Sequence, residues 1–259
     1  MKRIWIILIL LLICSSILLA FATYYYYAYP RYRQPYQTGL TDDTLRIAFI
    51  GDSWAFMHND HNCQIANILE DTIHRPVKVH SYGICGLTSK EIYKNIYDNK
   101  DFKSFFQKRG YNYCYVSAGI NDTYKKMSTT YYKESMKCII KFLLTNNIHP
   151  IIQEIPDYNI FKSYKRQTIK YQIIRHISMF INETDLDCKQ EFRNVLNKLL
   201  QEENYKKNVS IVRYKSWNNN YDQDLKFIYI EDQMHLNEKG YKLLDSVITN
   251  EIIQLERNQ

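Results

Sequence analysis

The chain predicts an α/β fold: a mostly parallel sheet of five strands with helices on both faces, preceded by an N-terminal transmembrane helix. Three observations carry this. Short apolar runs alternate with segments whose apolar residues recur at helical spacing, the pattern of a parallel sheet covered on both faces. Ser53, Gly86 and Asn121 each fall just after one of these runs, at the strand ends where ligands bind in such sheets. Behind Lys2 and Arg3, an uncharged run extends from Ile4 to Ala22.

At ~1.5 Å per residue that run is just long enough to cross a ~30 Å hydrocarbon core. Lys2 and Arg3 favour a cytoplasmic N-terminus, although Arg31 and Arg33 dilute the bias. Tyr24 to Tyr27 and Tyr29 suit an aromatic belt at the outer interface. An uncleaved anchor is the first reading. Cleavage at Ala20-Phe21-Ala22 and lipidation of Cys14, after the bulky Ile13, are the alternatives. All three place the rest of the chain outside the cytoplasm. Residues 1–23 are thus expected to be a membrane anchor or signal segment. Residues 24–43, rich in Tyr, Pro, Arg and Gln without apolar period, are expected to be a juxtamembrane tether, and residues 44–259 the folded domain.

Within the domain, Leu45–Ile50 is an apolar run closed by Gly51, a buried strand. Asn62–Ile73 carries Ile65, Ile68, Leu69 and Ile73 at helical spacing and is closed by Pro76. Val77–Tyr82 is a second strand. Thr88 or Ser89 can cap a helix bearing Ile92, Tyr93 and Ile96, with Glu91 in its first turn. Tyr111–Ala118 is a third strand. A long helix from Thr129 or Thr130 runs through Leu144 and stops at Asn146-Asn147. Ile148–Ile155 is the fourth strand. Helical stretches over about Lys162–Phe180 and Asp185–Glu203 follow. Val209–Tyr214 is the fifth strand, and Asn237–Leu255 the closing helix.

Composition narrows the function. The net charge of +7 is spread over many helical faces, which reads as a solvated surface and not as a nucleic-acid site. No zinc-type Cys/His spacing and no phosphate-binding glycine loop is present. Five cysteines follow the apolar run, an odd number, so at least one thiol is free. Cys114 and Cys138 read as small buried hydrophobes, and no disulfide is expected.

The chemistry lies in four short motifs. Ser53, in Gly51-Asp52-Ser53, stands at a strand-to-loop turn, where its hydroxyl can act as a nucleophile and its N–H can face a substrate oxygen. Read alone, it could equally be a helix cap or a turn serine. His235 differs from the other six histidines because Asp232 stands three positions earlier in a short loop. That spacing can present a carboxylate to one ring nitrogen while the other faces Ser53. His58, His61, His74, His80, His149 and His176 read as surface, cap or packing residues. Asn121 offers a side-chain N–H and Gly86 a backbone N–H, which with the Ser53 N–H would make an oxyanion hole. Asn121-Asp122 could otherwise be a turn, and Gly86 a plain loop glycine.

Taken together the motifs resemble the SGNH hydrolases, the GDSL esterase/lipase superfamily. The resemblance rests on Ser53 in Gly-Asp-Ser, Gly86 in Gly-Leu-Thr, Asn121 in Gly-Ile-Asn-Asp and His235 in Asp-x-x-His. It implies a flavodoxin-like three-layer α/β/α fold and metal-free ester hydrolysis without a cofactor. The stretch from about Pro156 to Lys226 matches no motif. Trp54-Ala55, Cys85 and Leu236 stand where many members carry Leu or Ile, Ser and Pro, departures that bear on substrate more than on activity.

The expected substrate is an acylated glycan of the cell envelope or extracellular space, deacetylated by the serine. Trp217-Asn218-Asn219-Asn220-Tyr221 offers aromatic faces and amides suited to sugar rings, or is a polar surface loop. Lysophospholipase or short-chain lipase action on a lipid ester, acyl transfer to a glycan, and non-catalytic glycan binding are the alternatives. The expected partners are that substrate and the membrane, and no nucleic acid. The oligomeric state is left open.

Overall fold

The computed structural model describes residues 2–36, 38 and 42–258. Positions 37 and 39–41 of the expected tether lie outside the described residues, as do residues 1 and 259 and the side chains of Tyr25, Tyr26 and Tyr27 from the expected aromatic belt.

Helix α1 (Lys2–Tyr27) is apolar, its side chains from Arg3 to Ala22 are exposed, and Arg3–Tyr24 is long enough to cross a membrane. Strand β1 (Leu45–Gly51) then leads into the short helix α2 (Ser53–Met57), followed by α3 (Asn62–Ile73) and β2 (Val77–Gly83). Next come α4 (Ser89–Asp98), α5 (Lys100–Gln107), β3 (Tyr113–Ser117), α6 (Ile120–Lys125) and α7 (Thr129–Thr145). The chain closes with β4 (His149–Gln153), α8 (Ile160–Lys165), α9 (Ile169–Asn182), α10 (Lys189–Leu200), β5 (Ser210–Val212), α11 (Tyr221–Ile228) and α12 (Glu238–Arg257).

The five strands form one parallel sheet in the order β2-β1-β3-β4-β5. This is the flavodoxin-like order, and its connections reverse direction between β1 and β3. Both strands are buried almost throughout, as expected of apolar runs covered by helices on both faces. Helix α3 packs with α12, while α7 packs with both α4 and α10, forming the two outer layers. β5, at one edge, is three residues long and pairs with β4 alone.

Thr88 caps α4 through a reciprocal capping box with Glu91, and Ser128 caps α7. Helices α2, α5, α6 and α11 were not anticipated. α5 buries Phe102, Phe105 and Phe106 behind an Asn99 cap, and α11 begins at the Asn220 cap. The expected helix over Lys162–Phe180 is broken between Lys165 and Ile169, where Thr168 adopts extended backbone.

The segment after α1 is docked on the domain and is not loose. The Arg33 N–H donates to the Tyr93 hydroxyl at 2.7 Å, and its guanidinium meets Asp98 at 2.5 Å. The Tyr36 hydroxyl donates to the Ile96 carbonyl at 3.0 Å, and its ring lies 5.3 Å from that of Phe142. Aromatic side chains on an otherwise polar stretch supply this contact. The Trp217-Asn218 pair is also corrected. Both are buried, Trp217 packs on Trp54, and Asn218 donates to the Tyr229 hydroxyl at 2.6 Å. They belong to the core, so neither a sugar platform nor a polar surface loop describes them.

Candidate active site

The strand ends bring the motifs to one edge. β1 ends in Gly51, whose φ is +150° and whose added Cβ would stand 2.0 Å from the Ser117 carbonyl oxygen. Only glycine lets β1 and β3 approach this closely at the switch point. Asp52 follows as the N-cap of α2, accepting from the Trp54 N–H at 3.0 Å. Ser53 is therefore the first residue of a short helix, not a member of a loop as its sequence position suggested. Its N–H belongs to the first turn, whose donors have no intrahelical acceptor.

Ser53 is 9% exposed, so its hydroxyl is held by its surroundings yet reachable. Ser53 Oγ lies 2.8 Å from His235 Nε2. His235 Nδ1 lies 2.6 Å from Asp232 Oδ2. Asp232 Oδ1 also accepts the backbone N–H groups of Met234 at 2.8 Å and His235 at 2.9 Å. Burial raises the Asp232 carboxyl, but hydrogen bonds from the His235 ring and these N–H groups outweigh it and hold the group below its usual value. A carboxylate fixed on Nδ1–H leaves Nε2 free to accept the serine proton.

The loop carrying Asp232 and His235 is pinned on several sides. The Ile230 N–H donates to the His235 carbonyl at 2.9 Å, and Tyr229 and Leu236 form an antiparallel bridge. The Gln233 carbonyl accepts from the Asn159 N–H at 3.1 Å and the Tyr221 hydroxyl at 2.8 Å. Gln233 sits at φ +60°, a left-handed position that these bonds sustain.

Asn121 lies in the first turn of α6, directly beyond β3. One N–H of its amide donates to Asp52 Oδ2 at 3.3 Å, leaving the second N–H of the same nitrogen for another acceptor. Asp52 is fully buried and also accepts from the Ser117 hydroxyl at 3.1 Å. Burial pushes its carboxyl up to about 6 against these hydrogen bonds. Asp52 thus joins α2, β3 and the Asn121 amide, a link that sequence reading missed. Its place between Gly51 and Ser53 was the available signal.

Gly86 occupies the turn between β2 and α4 at φ +81°, and a Cβ there would meet nothing within 4 Å. The backbone conformation favours glycine, while the space above stays open. Asp122 ties this region to the Asn121 loop. It is fully buried and accepts the Ser89 N–H at 2.8 Å and the Ser89 hydroxyl at 2.6 Å. Burial raises its carboxyl to about 7.

A cavity of about 250 Å³ opens beside these groups, lined by Asn121, Tyr124, Ser163, Arg166, Gln167, Asp232 and Met234. Tyr124, Ser163, Arg166 and Gln167 come from the stretch around α6, α8 and the break before α9, and sequence reading assigned them no role. A larger cavity of about 470 Å³ lies between Ala28–Arg33 and α4, and Ser53, Asp232 and His235 do not line it. The remaining histidines lie elsewhere: His58 stacks on Phe49 and contacts Asp245 at 2.6 Å in the interior. Among the described residues, no three His, Cys, Asp or Glu side chains are grouped to hold a metal ion.

The sequence model of the GDSL-like lipase/acylhydrolase family matches residues 47–247. The chain belongs to that family and is an ester hydrolase of its kind. No curated protein is similar enough in sequence to count as a relative. Among solved structures, a lipase/acylhydrolase from Enterococcus faecalis is similar over 81% of this chain and 96% of its own, at 16% identity and a TM-score of 0.57. The acetyl xylan esterase AlAXEase covers 80% of this chain with all of its own, at 16% identity and 0.54. The psychrotrophic esterase EstA from Pseudoalteromonas sp., in a structure inhibited by monoethylphosphonate, covers 83% of this chain with all of its own, at 12% identity and 0.54. At these identities the likeness is one of fold.

Proposed function

We propose that Ser53, His235 and Asp232 act as a catalytic triad that removes small acyl groups, acetyl foremost, from a cell-envelope or extracellular glycan. The observation that carries the triad is the unbroken chain of contacts, 2.8 Å from Ser53 Oγ to His235 Nε2 and 2.6 Å from His235 Nδ1 to Asp232. Ser53 Oγ attacks the ester carbon as Nε2 takes its proton. The tetrahedral oxyanion is held by the N–H groups of Ser53 and Gly86 and the second amide N–H of Asn121. Collapse breaks the bond to the leaving alcohol, which takes the proton back from Nε2. Water then repeats the sequence on the acyl-enzyme.

The small, open cavity with its hydroxyl, amide and guanidinium lining suits a short acyl group on a polar carrier better than a long chain. An acetyl xylan esterase among the fold neighbours fits this reading. A lipid ester is the second reading, favoured by the exposed apolar residues of α9, which begins two residues beyond Gln167 of the cavity lining. With α1 as an anchor, the domain would stand outside the cytoplasm on the membrane surface.

Hydrolysis of p-nitrophenyl acetate and p-nitrophenyl octanoate by the parent and Ser53→Ala tests the proposal. Acetate turnover should dominate and fall by about 10⁴-fold or more in the variant. Octanoate preference would transfer the assignment to lipid substrates. Equal rates in parent and variant would overturn the triad.

A further inference from the structure

Helix α9 is built inside out. Its two buried residues are Arg175 and Ser178. Its aliphatic and aromatic residues face outward, with Ile169 75% and Phe180 86% exposed and Ile173, Ile174, Ile177 and Ile181 exposed as well. Phe161, on α8, adds to the same exposed set. The inward face is polar: the Arg175 guanidinium lies 3.7 Å over the Tyr124 ring, and the Asn182 amide donates to the Lys126 carbonyl at 2.8 Å. A surface helix of a soluble domain shows the reverse arrangement, and an apolar face of this extent marks a contact surface.

Charge and position identify what covers it. From Tyr158 to Asn182 the chain has no Asp or Glu, while Lys162, Lys165, Arg166 and Lys170 are basic and lie at least partly in solvent. Exposed apolar residues within a purely basic segment suit a lipid surface with anionic headgroups. The exit of α1 lies on the matching side of the domain. Ala28 accepts a hydrogen bond from Lys90, and Ala28–Pro30 line one cavity with Thr88, two residues beyond Gly86. α8 adjoins the same edge, since the Lys162 ammonium donates to the Glu231 carbonyl beside Asp232 at 2.8 Å. A bilayer that holds α1 therefore lies near the Gly86 turn from which α4 starts, and α8, which leads into the apolar α9, reaches the Asp232 loop.

We infer that the α8–α9 pair is a second, interfacial membrane contact that seats in an anionic phospholipid bilayer and turns the candidate active site toward it. The esters within reach are then those carried at the membrane surface. The docking rests only on the apolar face, the basic segment and the α1 exit. The substrate consequence rests on the proposed esterase reading.

The test uses the full chain reconstituted in phosphatidylcholine–phosphatidylglycerol vesicles, with Trp5→Phe and Phe180→Trp. Trp54 and Trp217 stay buried, so the added indole reports on α9. Brominated acyl chains should quench its emission about twofold or more, and less in vesicles of phosphatidylcholine alone. Ile173→Glu with Ile177→Glu should abolish that quenching and leave p-nitrophenyl acetate hydrolysis at the parent rate. An added indole that stays unquenched and water-exposed overturns the inference. So does a shielded but unquenched indole whose shielding grows with protein concentration, since a second copy then covers the face. The fluorescence requires no turnover, so docking and the esterase reading fail separately.

Discussion

At the residue scale, two buried carboxylates organise the candidate site without touching substrate. Asp52 holds one N–H of the Asn121 amide, and Asp122 holds the start of α4 beside the Gly86 turn. Both are raised by burial, Asp52 to about 6 and Asp122 to about 7, from an ordinary value of 3.8. A raised acid keeps its proton in the folded state at pH values where the unfolded chain has lost it. Folding then takes up protons across this window, and the contribution of these groups to stability falls as pH rises from about 4 to about 7. Asp122→Asn cannot titrate, so its thermal midpoint should fall less steeply over that range than the parent's. Melting curves at stepped pH check this, and identical slopes would remove Asp122 from the account.

Ser53, Gly86, Asn121, Asp232 and His235 were legible because each chemical type stood at a strand end or in a short loop. Asp52 and Asp122 were not, because their work depends on partners that only the fold brings near. Ser117 and Asn121 are both more than 60 positions from Asp52. The left-handed backbone of Gln233 likewise depends on bonds from Asn159 and Tyr221.

At the element scale, strands β1 and β2 begin where their apolar runs begin, because neighbours on both sides of β1 fix its register. Of the helices missed or misjoined, α5 and α11 start at asparagine caps. Asn99 starts α5 with Phe102, Phe105 and Phe106 at the spacing of one helical face, a signal present in the sequence. Thr168 interrupts what apolar period alone would run together. Helix α9 defeats periodicity for another reason: its apolar stripe is real but points away from the core. α4 tests the importance of caps. The Thr88 hydroxyl accepts the Glu91 N–H and contacts the Tyr131 hydroxyl at 3.0 Å. Thr88→Val keeps the shape and removes both, and should cost about 1 kcal/mol in denaturant unfolding. No loss would mean that α4 is held by packing alone.

At the scale of the whole molecule, the described residues that follow α1 are part of the fold. The segment expected to be a tether is held by Arg33 and Tyr36 against α4 and α7. Its sequence concealed this because two anchors, one basic and one aromatic, suffice and leave no periodic trace. Tyr36→Ala removes a half-buried ring from Tyr97 and Phe142 and should destabilise the full chain by roughly 1–2 kcal/mol. An unchanged midpoint would return residues 28–36 to the status of a free linker. The buried Trp217, packed on Trp54 behind the nucleophile helix, shows the same limit. Composition gives a side chain's chemistry, but only the fold decides whether it faces a ligand or the core.

The central claim is that His235, held by Asp232, makes Ser53 a nucleophile. The most direct measurement is covalent labelling by a fluorophosphonate probe, with the modified residue located by peptide mass mapping. The account predicts labelling at Ser53 in the parent and its loss in both Ser53→Ala and His235→Ala. Labelling of Ser53 that persists undiminished in His235→Ala, or a folded parent that takes up no label, would contradict it.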